Sequence, residues 1–194
     1  MSAVAILGWG SLLWDLADLA PRVRCGWQRG AGPALPLEFS RVSPKRRHAL
    51  VVVIDPRAGA PCPTHAIASR RDSVDRAAAD LAARERCRLS RVGAVCLDTG
   101  LTRASDPGVA ETVARWCRAG GWRGAVWTDL DANFEAVTGR PFSVATGRAY
   151  LRELSGRSRA EAVRYITEAP AETDTPLRRA LAAEPWWLAL ARAP

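Results

Sequence analysis

An α+β fold is the class this chain predicts: a mixed barrel-like β-sheet flanked by helices, with a mainly helical C-terminal half. Three observations carry it. Apolar and β-branched runs crowd the first hundred residues, capped helical patterns dominate the rest, and no repeat or low-complexity linker divides the 194 residues. One domain over 1–194 is therefore expected, with a strand-rich core at 1–100 and a helical extension at 101–194 packed on it.

Residues 3 to 14 are apolar enough for a strand buried on both faces, broken by Gly8-Trp9-Gly10-Ser11. Residues 15 to 36 hold Pro21, Gly26, Gly30, Gly32, Pro33 and Pro36, which is loop chemistry around one short strand at Val23 to Trp27. "LEFSRVS" (37–43) alternates like a half-buried strand, and "HALVVVID" (48–55), continuous and β-branched, is the clearest strand. A turn at Pro56 to Pro63 leads to a strand at 64–70. A helix follows over 73–88, opened by Asp72 or Ser73. The next strand is 92–99, and Asp106-Pro107-Gly108 leads into a helix from Val109 to Arg118 that Gly120-Gly121 stops. "WRGAVWTD" (122–129) fits strand or helix. Thr128 with Asp131 reads as the start of a helix ending near Gly139, and further helices are expected at 157–168 and from Thr175-Pro176.

Composition narrows the function classes. Hydrophobic residues are 48% and charged residues 25%, as in ordinary globular proteins. No run approaches the roughly twenty apolar residues of a membrane helix. The N-terminus lacks the basic start and cleavage site of a secretory signal, so a cytoplasmic protein with no membrane partner is expected. The five cysteines, Cys25, Cys62, Cys87, Cys96 and Cys117, lack framework spacing and read as reduced thiols. The net charge of +8 invites a nucleic-acid reading, but its arginines spread from Arg22 to Arg192. Lys45 is the only lysine, and the one dense patch, Lys45 to His48, reads as a solvated loop. No nucleic acid is expected.

Spacing singles out one acid. Val74, Ala78 and Leu81 form a helical stripe whose next position is Glu85, so a carboxylate stands where an apolar residue should. Arg76, Asp80 and Arg84 read as an exposed ladder of ion pairs on the opposite face. Arg84 and Arg86 flank Glu85 but point elsewhere on a helix. An unpaired buried carboxylate costs several kcal/mol, so Glu85 either meets solvent or an arginine, or serves chemistry.

The glycine turn is the second feature. A strand ending in Gly-aromatic-Gly-Ser-Leu exposes consecutive N–H groups around a bend, and such a nest binds carboxylate or carbonyl oxygen. It lacks the third glycine of a dinucleotide fingerprint and the Gly-Lys-Ser/Thr ending of a phosphate loop.

In order, "LGWGSLLW" near the N-terminus, a strand-rich stretch and "LAARER" some seventy residues on resemble the γ-glutamylcyclotransferase family, nearest its ChaC-like branch, over roughly residues 3 to 100. The resemblance implies that Leu7, Gly8, Trp9, Gly10, Ser11 and Leu12 form the substrate loop and that Glu85, in the pair Arg84-Glu85, is catalytic. Trp9 replaces the family tyrosine, and Arg88-Leu89-Ser90 replaces a Gly-Tyr that often follows the glutamate. The stretch from Trp127 to Phe142 matches nothing in the family. The implied reaction is cyclisation of a γ-glutamyl amine or peptide to 5-oxoproline without enzyme nucleophile, metal or cofactor. Its needs are a general acid/base, Glu85, and donors for the oxyanion, the Gly10-Ser11-Leu12 backbone. The leaving amine is not specified. A monomer or homodimer is expected.

Arg41 and Ser43 on "EFSRVS" are candidates for gripping the substrate α-carboxylate. Cys62 and His65 in "CPTH" make half of a zinc or Cys–His site, with no second pair to complete it. Asp129, Asp131 and Asn133 resemble an acidic metal loop but read better as a helix start. Trp122, Trp127, Trp186 and Trp187 read as core packing. The alternative on the same fold is a non-catalytic module that binds a small acidic metabolite, with Glu85 merely paired to arginine.

Overall fold

The computed structural model describes residues 3–192, the side chain of Cys25 excepted. The first half carries strands β1 (Val4–Gly8), β2 (Val23–Gln28), β3 (Ala34–Ser43), β4 (Ala49–Ile54), β5 (Ala60–Pro63) and β6 (His65–Ser69). Helix α1 (Val74–Glu85), β7 (Val92–Cys96), β8 (Thr102–Arg103), α2 (Pro107–Gly120) and β9 (Gly124–Thr128) follow. The remainder is helical: α3 (Phe134–Thr138), α4 (Val144–Glu153), α5 (Gly156–Glu168), α6 (Pro176–Ala182) and α7 (Pro185–Arg192). The fold class is α+β. The chain forms two compact units, 1–35 with 63–130 and 36–62 with 131–194.

The first unit is built on an open six-stranded sheet, ordered β2-β6-β1-β9-β7-β8. It does not close: β2 and the two-residue β8 are edges, so the barrel expectation is corrected to an open mixed sheet. β1 is central, antiparallel to β6 and parallel to β9. That position accounts for its all-apolar sequence. Val4 and Ile6 join the core beneath α1, while the alternating Ala5 and Leu7 are buried on the other face. β9 lies between β1 and β7, so a strand from 101–194 completes the sheet that the first hundred residues were expected to form alone. α1 begins at Ser73, whose hydroxyl accepts from the Arg76 N–H, and buries Val74, Ala77, Ala78, Leu81 and Ala82. α2 begins at Asp106 and stops at Gly121, whose positive φ of 68° suits glycine.

The second unit has a three-stranded sheet, β4-β3-β5, with α5 packed on β4. All six residues of β4 are buried. Two elements here fall outside the sequence expectations. β5 occupies the end of the segment read as a turn, its Pro61 and Pro63 having obscured it. α4 contains Gly147, which is buried where Phe142 and Leu177 close over it. Its start is a Ser143–Thr146 capping box. No helix among the described residues is long and apolar enough to cross a membrane.

Candidate functional site

The bend at the end of β1 is built by its own backbone. Gly10 leads into a tight helical turn at Ser11–Leu13, whose closing bonds are Leu13 N–H to Gly10 O at 3.0 Å and Asp15 N–H to Ser11 O at 2.9 Å. The chain therefore does not resume a strand after the glycines, as residues 3–14 had suggested. Leu12 instead drops into the core beneath α1, while Leu13 and Trp14 are half-buried. Leu7, Gly8, Trp9 and Gly10 are buried too, and Ser11 is half-exposed. The leading N–H groups of such a turn, at Ser11 and Leu12, find no acceptor within it. Because β1 and β9 are parallel, their carboxyl ends lie at the same edge of the sheet.

Gly8 has a structural cause. A β-carbon there would stand 2.7 Å from Cη2 of Trp27, so the indole occupies the space that the glycine opens. Gly8→Ala should cost about 1–3 kcal/mol, and Trp27→Leu in the same chain should recover most of it. Urea unfolding of the two single variants and the pair measures this directly. The Trp27 Nε1–H is buried without an acceptor. Across the β1–β6 ladder Gly8 faces His65, which is fully buried and whose Nδ1 accepts from the Gly30 N–H at 3.0 Å.

Glu85 is the last residue of α1, and Arg86 turns the chain out with φ 49°. Its side chain is 19% exposed and accepts from Arg84 Nη1 at 2.7 Å. Arg84, only 7% exposed, also donates through Nη2 to the Asp15 carbonyl. Arg84 was expected to point away. At the end of the helix its long stem folds back over the acid instead, and one guanidinium ties Glu85 to the segment that closes the bend. Arg84 Nε is buried without a partner. The expected Arg76–Asp80–Arg84 ladder does not form. Arg76 meets Asp72 at 3.8 Å, and Asp80 turns to Arg22 and Arg71.

Arg41 and Ser43 belong to the second unit, where Arg41 Nη1 donates to the Asp131 carbonyl at 2.7 Å and Ser43 ends β3. Asn133, not Thr128, caps α3, and its side-chain amide pairs with both backbone groups of Val42. Thr128 ends β9, and Asp129 is buried and accepts from the Ser105 N–H at 2.6 Å. Cys62 is buried, and desolvation pushes its thiol pKa up, which disfavours the thiolate. Cys62, Cys96 and Cys117 are free thiols. No group of three or more His, Cys, Asp or Glu among the described residues is arranged to hold a metal ion. Trp127 and Trp187 are core residues, Trp186 packs edge-on to Trp187, and Trp122 stacks on Trp116.

Sequence reasoning passed over Glu38. It is fully buried on β3 and accepts from the Phe39 and Leu177 N–H groups at 2.7 and 3.0 Å. Burial raises its pKa, opposed by a hydrogen bond with Thr175 and by the two backbone donors. The signal was a glutamate between Leu37 and Phe39 in a strand read as half-solvated. Compared with protein-family models, curated proteins and solved structures, the chain matches none of them.

Proposed function

We propose that the first unit is a γ-glutamylcyclotransferase-like catalyst, related in fold to that family, acting in the cytoplasm on a γ-glutamyl amine or peptide. The observation that carries the reading is the Arg84 bridge, which joins Glu85 to the carbonyl of Asp15 and so keeps the acid beside the Ser11–Asp15 turn. One buried donor without an acceptor, Arg84 Nε in the bridging guanidinium itself, adds to it. Such donors are costly unless a ligand's oxygen meets them.

The chemistry balances within the substrate. The α-amino nitrogen attacks the δ-carbonyl carbon and forms the ring C–N bond, and the C–N bond to the leaving amine breaks. Glu85 takes the proton from the attacking nitrogen and returns one to the leaving nitrogen. The Ser11 and Leu12 N–H groups are the oxyanion donors. No water, metal or cofactor enters the equation. Incubation with glutathione, γ-glutamyl dipeptides and γ-glutamyl alkylamines should release 5-oxoproline and one equivalent of amine, read by mass spectrometry. Silence from every compound overturns the reading.

One observation favours a second reading, a binding module without turnover: the Arg84–Glu85 pair at 2.7 Å engages the carboxylate in an ion pair. That reading predicts saturable binding of glutamate or 5-oxoproline with every γ-glutamyl compound left intact.

A further inference from the structure

β2 and β6 run antiparallel, and the Arg70 N–H donates to Arg22 O at 2.8 Å, which brings the residues flanking these strands to one place. There, Pro21, Arg22, Arg70 and Arg71 line an open cleft of about 370 Å³, within the range that small metabolites occupy. Three guanidiniums around one small space repel each other unless anions intervene.

One anion is already present. Asp80 of α1, 9% exposed, accepts from Arg71 Nε at 2.6 Å, Arg71 Nη2 at 3.2 Å and Arg22 Nη1 at 2.7 Å. Arg70 Nε is held by the Val23 carbonyl at 2.8 Å. Each guanidinium is thus oriented by one edge while its remaining N–H groups have no protein partner among the described residues. Against three cations stand Asp80, in contact with two of them, and the exposed Asp72, which acts on Arg71 from farther off, so the cluster keeps a net positive charge. A carboxylate ligand offers two acceptor oxygens and one charge, whereas a doubly charged tetrahedral anion brings more of both and accepts from several guanidiniums at once.

We propose that this cleft binds the phosphate monoester group of a small metabolite as its dianion. Asp80 is the positioning residue: it presets Arg22 and Arg71, so the ordering is done before the ligand arrives.

Titration calorimetry of the purified protein at low salt, with inorganic phosphate, sulfate and acetate as probes, tests this. Phosphate and sulfate should each saturate one site, with acetate at least about tenfold weaker. Phosphate affinity should rise as its second proton leaves, at about pH 6 to 7, while that of sulfate stays level. Arg22→Gln and Arg71→Gln should each weaken phosphate about tenfold or more. Arg71→Lys, which keeps the charge and loses the fork, should lie between Arg71→Gln and the parent protein. The idea is overturned by no saturable heat at about 20 mM phosphate, by acetate binding equally well, or by unchanged affinity in both glutamine variants. A homopolymeric oligonucleotide that binds with a steep salt slope and resists competition by phosphate also overturns it, in favour of a polyanion surface. Should a variant fail to fold, the comparison of probes and pH on the parent protein decides alone.

Discussion

Glu85→Gln should lower the rate of 5-oxoproline release by about 10²- to 10⁴-fold, the range associated with loss of a positioned general acid/base. Glutamine matches the shape of glutamate and still accepts from Arg84 Nη1, so the tie between the helix end and Asp15 survives. What it loses is proton affinity. The fall should therefore appear in kcat with KM little changed, the pattern of an interaction made only in the transition state. Glu85→Asp retains the carboxylate but withdraws it by one methylene, and should keep more activity than Glu85→Gln. Turnover in Glu85→Gln within about threefold of the parent removes Glu85 from the mechanism, because no positioned acid/base contributes so little.

Glu38→Ala should cost the second unit about 2–4 kcal/mol of unfolding free energy. The carboxylate holds the Phe39 and Leu177 N–H groups from opposite oxygens, and Leu177 stands in the first turn of α6. Removing it orphans two buried donors and leaves a cavity. Glu38→Gln is gentler, since it keeps the volume but offers one oxygen and turns an NH₂ toward a donor. Its cost should depend on pH. Burial raises the folded pKa of Glu38 above its ordinary 4.5, so its stabilisation is fully present below that value and is lost as pH rises through the folded pKa. Stability of the parent should fall over that window, and Glu38→Gln should not share the fall. The gap between the two therefore narrows as pH rises above about 4.5 in denaturant titrations. A constant gap would show that Glu38 does not titrate in that window.

Local chemistry was legible where the chain acts locally. Ser73, one of two caps the sequence offered, and Thr175 were readable as helix starts because each accepts from an N–H three residues on, and Gly121 as a stop because its φ is positive, whereas α2 begins at Pro107, in a stretch that reads as loop. β4 was legible because both its faces are buried and its residues are β-branched. The losses occur where a distant segment decides. Asp80 matches the spacing of a helical ladder, yet its partners come from the flanks of β2 and β6. Period two in "LEFSRVS" promises a wet face, but β3 is the middle strand of its sheet, and Leu37 through Ser40 are all buried. Gly8 announced a special backbone, though the neighbour responsible, Trp27, is nineteen residues away. The resemblance at the bend rests on residue order alone, whereas the Arg84 bridge depends on a rotamer that no spacing rule supplies.

The two units are interleaved along the chain, and a ribosome delivers them in that order. Residues 36–62 emerge with β3 and β4, but the rest of their unit begins at 131. Translation of the intervening segment takes roughly 3 to 14 s at ordinary elongation rates. Throughout that interval a nascent β3–β4 ribbon, bearing the apolar surface that α5 later covers, has nothing of its own to pack on. Those seconds are when a trigger-type chaperone would be needed, and when slowed elongation would cost the most soluble product.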